Sequence, residues 1–515
     1  LPHPDPLPLG GGEGDMRTVV ENADALASTN ARRGEGSVLA MGFMVSLCAE
    51  SKEEAMTTFP TTLTALKSSG TLFTPDRPIR YSRAPGRLDL MGGNDDYTGG
   101  LVFEATIHEA TWAAVQLRGD RRIVFLNPQM KERGWQDRAE FSLDDLTADA
   151  AVRALVNRDP GVRWTAYVLG LFHLLQKRFP QQVQYGASVY IESDVPLNKG
   201  VSSSASVEVA VMKAAVGAYG INLAGVELAE ACQWVENVIA ESACGIMDQI
   251  TVVLGDEGCI LPLLCQPCLP RPLVQLPEGL ACWAVDSGVS HMVSGIEYEA
   301  ARAGAFMGYK LICDWEGLPV QLDESGQIPR WTDSRWNGYL ANLSPSLFRA
   351  RYESRLAETM TGTEYLRDGQ IHVDPFTRMR PEVTYRVRAC TRYAVEENFR
   401  VSLFAELARG GVGFEQMGDL MYQSHHGYTE CGLGCEATDL LVELVRESGV
   451  ASGLFGAKVT GGGAGGTVAV LGRKDARPAF DRVVSRYAEA RGIAPYVFEG
   501  SSMGADRFGI KTLEP

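Results

Sequence analysis

The segment APGRLDLMGGNDDYTGG (residues 84–100) combines a strand-like alternating run with a polar turn. The alternation ends at Leu90 and the pair Gly92-Gly93 follows, which predicts a strand that feeds a tight turn. Arg87 then lies on the strand. The polar residues of the turn are Asn94, Asp95, Asp96 and Tyr97. Such a cluster suits a polyhydroxylated ligand because each ligand hydroxyl needs an acceptor, although an Asx-capped turn with solvated charges has the same composition.

The segment PLNKGVSSSASVEV (196–209) places a glycine and a run of serines directly before a helical pattern. The free N–H groups of a first helical turn favour an anion, and so does the helix dipole. Serine hydroxyls add donors to phosphate and an oxygen ligand for Mg²⁺. The segment lacks the GxxxxGK[ST] pattern, and a serine-rich N-cap is the alternative. We expect a phosphate site here.

A third glycine-rich segment, KVTGGGAGGTVAV (458–470), has five glycines in six positions between two strand-like runs. Glycine loses more backbone entropy on folding than any other residue, and a simple hairpin needs only one or two glycines. The composition therefore predicts close backbone approach to a ligand or to another glycine loop.

Between these segments lies ESACGIMDQ (241–249), in which Asp248 stands early in a predicted helix that runs to Leu254. The helix dipole stabilises the ionised form of a carboxylate in the first turn, which suits a general base. An aspartate at this position also serves as an ordinary helix cap.

The composition excludes several classes of protein. The 515 residues carry 48 Lys and Arg against 64 Asp and Glu, a net charge of −16, and 45% are hydrophobic. These values exclude global disorder and argue against a nucleic-acid partner. No apolar run reaches membrane-spanning length, so we expect no membrane partner. The eleven cysteines are spread along the chain, which favours a reducing, cytoplasmic location.

The four segments, in this order, resemble the GHMP small-molecule kinase superfamily. The patterns are PGRxDLMGGxxDYxGG, PLxxGxSSSAS, CGIMDQ and TGGGxGGT. WTAYVLG (164–170) and LMYQSHHG (420–427) are similar to segments of the galactokinase branch, whose members phosphorylate an anomeric hydroxyl. CQP (265–267) and YEAARAGAFMG (298–308) are similar to the L-arabinokinase group within it.

The resemblance implies an α+β, two-lobed GHMP kinase fold with a ribosomal S5-like N-terminal lobe and a ferredoxin-like C-terminal lobe. We predict a disordered leader over residues 1–35, an N-terminal domain over 36–280, and a C-terminal domain over 281–515. An insertion at about 315–385 has no assigned chemistry. The implied partners are a sugar and ATP with Mg²⁺, and the expected state is a monomer or weak oligomer.

The resemblance also implies residue roles. Asp248 is the expected base for the sugar's anomeric hydroxyl, and Arg87 is expected beside it. The other expected sugar contacts are Gly93, Asn94, Asp96, Tyr97 and Tyr298. The expected ATP contacts are Trp164, Tyr167, Gly200, Ser202, Ser203, Ser204, Ala205, Ser206, Gly462 and Gly463. The residues expected at the Mg²⁺ site are Ser204, which meets the ion, and Glu236, which holds it indirectly.

One departure from the galactokinase pattern GEHxDY bears on the sugar. Gly93 and Asn94 replace the Glu and His that would face the C4–C6 side of galactose. Without the carboxylate acceptor, the 6-hydroxyl of a hexose is left unpaired, which costs about 1–3 kcal/mol of binding free energy. A pentose has no 6-hydroxyl and loses nothing. We therefore expect L-arabinose, with galactose and galacturonate as rivals. A non-catalytic sugar sensor and a kinase of a non-sugar alcohol are further alternatives, but the intact SSSAS and Asp248 segments disfavour a sensor.

Overall fold

The computed structural model describes residues 58–290, 295–325, 328–367 and 369–515. The predicted leader, residues 1–35, and the predicted domain start at residue 36 lie outside the described residues. Residues 63–515 form one compact unit. The described residues before them, 58–62, are helical and belong to a helix over 58–69. No helix of the described ranges is both long enough and apolar enough to cross a membrane.

The strands and helices are interspersed along the chain. The strands are β1 (Ile79–Met91), β2 (Leu101–Leu117), β3 (Arg122–Leu126), β4 (Arg138–Ser142), β5 (Ala187–Ser193), β6 (Cys259–Leu264), β7 (Leu269–Pro270), β8 (Val274–Gln275), β9 (Leu280–Asp286), β10 (Gln321–Asp323), β11 (Arg330–Thr332), β12 (Met360–Thr361), β13 (Thr384–Tyr385), β14 (Leu454–Val459), β15 (Thr467–Arg473), β16 (Val497–Glu499) and β17 (Lys511–Leu513). The helices are α1 (58–69), α2 (Asp149–Asn157), α3 (Ala166–Arg178), α4 (Ser203–Tyr219), α5 (Gly225–Val238), α6 (Met247–Leu254), α7 (Ile296–Trp315), α8 (Pro345–Arg351), α9 (Gly362–Arg367), α10 (Val387–Gly410), α11 (Phe414–Cys431), α12 (Glu436–Ser448), α13 (Arg477–Arg491) and α14 (Ala505–Phe508).

The first sheet has the strand order β17-β1-β2-β5-β3-β4, and β6 pairs with β2, β7 and β8. Helix α4 packs on β1 and β2, and the apolar side chains of α3, α4 and α5 share one core with them. A second apolar cluster joins Leu88 and Leu90 of β1 to α10 and α11. Since β1 is covered in this way, its polar residues Arg87 and Asp89 are also buried.

The second sheet is antiparallel, with the order β14-β15-β9-β16. Helices α12 and α13 share an apolar cluster with it, which includes Trp283 of β9 and Phe480 of α13. The glycine-rich loop 460–466 connects β14 to β15. The combination of two sheets with separate helical layers confirms the predicted α+β class.

The chain passes from the first sheet to the second between Gln275 and Leu280. The domain boundary near Leu280 stays a prediction. Strand β17 returns to the first sheet and pairs with β1, with Leu513 opposite Ile79. The C-terminal residues therefore complete the first sheet.

Most of the elements expected from the sequence are confirmed. The run IRYSRAPGRLDLM is β1, and the serine-rich segment opens α4, which ends at Gly220 in the left-handed conformation. Asp248 lies in the first turn of α6, as expected. The insertion forms the hairpin β10–β11, short helices and the pair β12–β13, which pack with α7 and α10 in one apolar cluster.

Candidate active site

The two glycine loops meet in space. Gly200 precedes α4 and Gly461 follows β14, and both have φ of 70°. A Cβ atom on Gly461 would lie 2.9 Å from the Gly200 carbonyl oxygen, and one on Gly200 would lie 3.0 Å from that of Thr460. No side chain fits between the two backbones, which is the physical reason for glycine at both positions. The expected approach of one glycine loop to another is confirmed.

A cavity of about 460 Å³, the serine cavity, opens at this junction. Its wall contains many of the residues expected from the sequence. Those residues are Arg87, Trp164, Tyr167, Gly200, Ser202, Ser203, Ser204, Glu236, Asp248 and Gly462. Sequence reasoning missed Arg163, whose Nη2 donates to Ala240 O at 2.7 Å. Its Nη1 is buried and lacks a hydrogen-bond partner among the described residues.

Arg87 and Asp248 form the charged centre of the serine cavity. Arg87 Nε and Nη2 donate to Asp248 Oδ1 at 2.9 and 2.5 Å, and Nη1 donates to the Gly200 carbonyl oxygen at 2.9 Å. Both bonds from Arg87 end on Oδ1, so Asp248 Oδ2 keeps its capacity to accept a proton. The Asp248 side chain is 16% exposed and that of Arg87 only 3%. The arginine is therefore fixed inside, while the carboxylate borders the cavity.

A third charge supports this pair. Glu104 of β2 lies 3.3 Å from Arg87 Nε and is fully buried. Burial alone would lower the pKa of Arg87, but the carboxylates of Asp248 and Glu104 raise it above its ordinary value. The guanidinium therefore stays charged throughout the physiological pH range.

The start of α4 is shaped for an anion. Ser202 has φ of 60°, in the left-handed region, and its buried hydroxyl oxygen makes no hydrogen bond to any described residue. Ser203 and Ser204 are the first residues of the helix, where backbone N–H groups have no helical acceptor. An unpaired buried hydroxyl beside free N–H groups fits the oxygens of a phosphate.

Glu236 of α5 and Ser204 of α4 fit a magnesium ion. Burial raises the pKa of Glu236 to about 7, the charge of Asp248 adds to the rise, and a hydrogen bond from Ser204 opposes it. Gln249 Nε2 donates to Glu236 Oε2 at 2.7 Å. Within the described ranges, no group of three or more His, Cys, Asp or Glu forms a metal centre. One carboxylate and one hydroxyl suit Mg²⁺, which is commonly completed by substrate phosphates and water.

Asp96 lies in a second cavity of about 500 Å³, the aromatic cavity, whose wall also contains Tyr97, Gly245, Ile246 and Arg302. The Met247 amide donates to Asp96 Oδ2 at 3.4 Å, and a Cβ on Gly245 would lie 1.8 Å from the same oxygen. Burial raises the pKa of Asp96 to about 6, and Asp248 adds to the rise. The segment 241–249 therefore borders both cavities.

The other expected sugar contacts pack against one another. Tyr97 donates from its hydroxyl to Asn94 Oδ1 at 2.6 Å. Tyr298 of α7 is 6% exposed and meets the Tyr97 ring edge-on, with 6.1 Å between the ring centroids. Tyr97 is in the wall of the aromatic cavity, whereas Asn94 and Tyr298 are not among the described residues that line it.

Gly93 differs from expectation. It is buried, and neither cavity includes it among the described lining residues. A Cβ at residue 93 would lie 2.0 Å from Asp89 Oδ2, so the Asp89 carboxylate fills the space of the missing side chain. Lys458 Nζ donates to that oxygen at 2.7 Å, and both side chains are fully buried. Sequence reasoning missed this ion pair because its two residues are 369 positions apart in the chain.

Three expected ATP contacts lie elsewhere. Ser206 Oγ lies 2.8 Å from Ala84 O and 2.7 Å from Thr111 Oγ1, so it joins α4 to β1 and β2. Ala205 is fully buried in the core. A Cβ on Gly463 would contact Leu433 and Tyr428. Ser206, Ala205 and Gly463 are all outside the described wall of the serine cavity. Helical periodicity explains the first two, because only one side of the first turns of α4 faces the cavity.

Two serine variants separate these roles. Ser204→Ala should lower kcat/KM for ATP-dependent turnover by about 10- to 100-fold, because it removes an oxygen that borders the cavity. Ser206→Ala should leave KM for ATP unchanged and lower the free energy of unfolding by about 1–3 kcal/mol, because it leaves buried partners unpaired. Steady-state kinetics and urea unfolding of both variants test this; an ATP defect in Ser206→Ala alone would reverse the assignment.

Known families match both parts of the site. The model of the GHMP kinases N terminal domain matches residues 166–256, which include the start of α4 and Asp248. The galactokinase galactose-binding signature matches residues 72–117, which include Arg87 and Asp96.

Whole proteins are similar to this chain as well. An L-arabinokinase of Arabidopsis thaliana is 37% identical over an alignment of 494 positions that covers 86% of this chain and 47% of that protein. The chain thus spans about half the length of that relative. A galactokinase of Chloroflexus aggregans is 32% identical over 398 residues, which are 76% of this chain and 84% of that protein.

Solved structures share the fold. The crystal structure of Lactococcus lactis galactokinase complexed with galactose has a TM-score of 0.69 at 22% identity, and covers 88% of this chain and 99% of that one. The crystal structure of the Methanococcus jannaschii mevalonate kinase has a TM-score of 0.51 at 15% identity, and the match covers 82% of this chain and 98% of that one. The fold is therefore that of the GHMP kinases.

Proposed function

The chain belongs to the galactokinase family of GHMP kinases, and we propose that it transfers the γ-phosphoryl group of ATP to the anomeric hydroxyl of a monosaccharide. The single observation that carries this proposal is the position of Asp248. It is held by Arg87 where the segment 241–249 borders both cavities. Asp248 itself lines the serine cavity, and Cys244, Gly245 and Ile246 just before it line the aromatic cavity. A carboxylate at this junction can receive the proton of an attacking hydroxyl.

The proposed reaction needs few groups. Asp248 accepts the proton from the sugar O1 hydroxyl as O1 forms a bond to the γ-phosphorus and the bond from that phosphorus to the β–γ bridging oxygen breaks. ADP and a sugar 1-phosphate leave. Arg87 balances the negative charge around the transferred group, and positioning supplies most of the remaining acceleration.

ATP belongs in the serine cavity under this proposal. The N–H groups at the start of α4 and the loop at Gly461 and Gly462 suit the phosphates, and Trp164 and Tyr167 offer apolar surface for the adenine. Ser204 and Glu236 would hold Mg²⁺, which supplies charge neutralisation for the phosphates when bound.

We propose L-arabinose as the sugar. The similarity to a protein named L-arabinokinase supports this choice. The surroundings of residue 93 support it too, because the nearby Asp89 carboxylate is already engaged by Lys458 and by the amides of Gly93 and Gly461. It is fully buried and lines neither cavity among the described residues, so it does not offer an acceptor to the 6-hydroxyl of a hexose. Galactose and galacturonate remain the alternative substrates.

We also propose a cytoplasmic location and a monomeric or weakly associated state. Every cysteine of the described part of the chain has a free thiol. A reducing compartment maintains such thiols.

A substrate panel tests the proposed function. Purified protein with ATP, Mg²⁺ and each of a dozen aldoses and uronic acids should release ADP fastest with L-arabinose, measured by a coupled ADP assay. Fastest release with galactose or galacturonate would revise the sugar only. No sugar-dependent ADP with any member of the panel would contradict the kinase proposal and favour a sugar sensor.

A further inference from the structure

The insertion forms one side of the aromatic cavity. Arg330 and Tyr339 line it from one part of the insertion, and Val373 and Phe376 line it from another. Asp96 and Gly245, which precede the insertion in the chain, also line the cavity. A segment without a sequence-assigned role therefore contributes part of the wall of the cavity in which the sugar is proposed to bind.

Arg302 of α7 connects the insertion to this cavity. Its Nε donates to Asp374 Oδ2 at 2.7 Å and its Nη2 donates to Asp374 Oδ1 at 2.9 Å. Both side chains are almost completely buried, at 4% and 0% exposure. Thr377 Oγ1 donates to Asp374 Oδ2 at 2.6 Å, which fixes the carboxylate in turn. This two-point contact sets the plane of the guanidinium.

Aromatic rings hold the guanidinium from other sides. The Arg302 Cζ atom lies 4.8 Å from the Tyr97 ring centroid and 5.6 Å from that of Phe376. Tyr97 belongs to the motif predicted to contact the sugar, whereas Phe376 belongs to the insertion. The arginine is thus clamped between the two parts of the cavity wall.

One nitrogen of this clamped group lacks a partner. Arg302 Nη1 is buried and has no hydrogen-bond acceptor within the described part of the chain, yet the residue lines the aromatic cavity. A buried N–H group of a charged side chain without an acceptor is costly, and a ligand oxygen removes that cost. Asp96 of the predicted sugar-contacting motif lines the same cavity.

We propose, on the premise of the sugar kinase function, that Arg302 is a specificity residue whose Nη1 donates to a sugar oxygen remote from C1. Asp374 is its positioning residue, supplied by the insertion. The insertion thereby contributes to the choice of sugar. Asp248 acts on the hydroxyl at C1, and Arg302 binds an oxygen on the opposite side of the same sugar ring.

Deoxy sugars test the contact directly. Wild-type protein should use one of the 2-, 3- and 4-deoxy analogues of its sugar with a kcat/KM at least about tenfold below that of the parent sugar. The double variant Arg302→Met/Asp374→Asn leaves no unpaired buried carboxylate. In it, the ratio of kcat/KM for the parent sugar to kcat/KM for that deoxy analogue should fall to about twofold. KM for ATP should change by no more than about twofold, which a general structural defect would not produce.

A second variant and a control complete the design. Asp374→Asn alone keeps Arg302 but weakens the contact that fixes its guanidinium. Its ratio of kcat/KM values for the parent and deoxy sugars should therefore lie between those of the wild type and the double variant. The control is Arg392→Met, which removes an arginine paired with Glu353 and Glu430 that lines neither cavity among the described residues. It should keep the wild-type ratio.

The outcomes are distinguishable. An active enzyme whose ratios are the same in the wild type, the double variant and Asp374→Asn would overturn the inference alone. A wild-type protein that phosphorylates no sugar would overturn the proposed function, and this inference with it. Loss of the ratio in Arg392→Met as well would show that the effect is not specific to Arg302.

Discussion

Asp248→Asn is expected to lower kcat by about 10³-fold while ATP still binds. Asparagine keeps the size of the side chain and an oxygen for Arg87, but it cannot take a proton from an attacking hydroxyl. General bases contribute about 10²- to 10⁴-fold in other enzymes. Rapid-mixing kinetics give kcat, and titration of a fluorescent ATP analogue gives the affinity of the variant.

Asp256→Asn is the matched control for this experiment. Asp256 lies two residues beyond the end of α6 and pairs with Arg507, away from both cavities among the described residues. Its replacement should leave kcat within about twofold of the wild type. An Asp248→Asn variant with wild-type kcat would show that Asp248 is not the base.

Lys458→Met should lower the free energy of unfolding by about 3–5 kcal/mol. Lys458 and Asp89 are both fully buried, and their charged atoms are 2.7 Å apart. Methionine preserves the apolar volume but leaves the Asp89 carboxylate without its compensating charge. Urea unfolding, followed by tryptophan fluorescence, measures the loss as a shift of the midpoint.

The double variant Lys458→Met/Asp89→Asn tests the cause of that loss. A neutral amide in place of the carboxylate no longer needs the lysine, so the double variant should recover most of the stability. A single variant as stable as the wild type would contradict the account of the pocket around Gly93. Equal stability of the single and double variants would show that the charge is not the cause.

The parts of the site with a local chemical signal could be predicted from the sequence. The glycine loop at Gly461, the serines before α4 and the first-turn position of Asp248 each depend on neighbouring residues in the chain. Their assembly around one cavity followed from the resemblance of their order to a known superfamily. The structure brings Arg87 and Asp248, 161 positions apart, into direct contact.

The parts that depend on distant packing could not be predicted. Asp89 and Lys458 are 369 positions apart, and neither has a local pattern that announces the other. The direction of Ser206 depends on which side of α4 faces the sheet. The role of Asp374 follows from its contact with Arg302, in an insertion whose weak periodicity gave no prediction. The directions of side chains and the contacts between residues distant in the chain therefore could not be predicted from the sequence.

The position of the transferred phosphate tests the central claim most directly. Wild-type protein should be incubated with L-arabinose, ATP and Mg²⁺, and the product examined by correlated ¹H–³¹P nuclear magnetic resonance. The account predicts a phosphorus signal coupled to the proton on C1. Coupling to a proton on any other carbon, or inorganic phosphate as the only product, would contradict it.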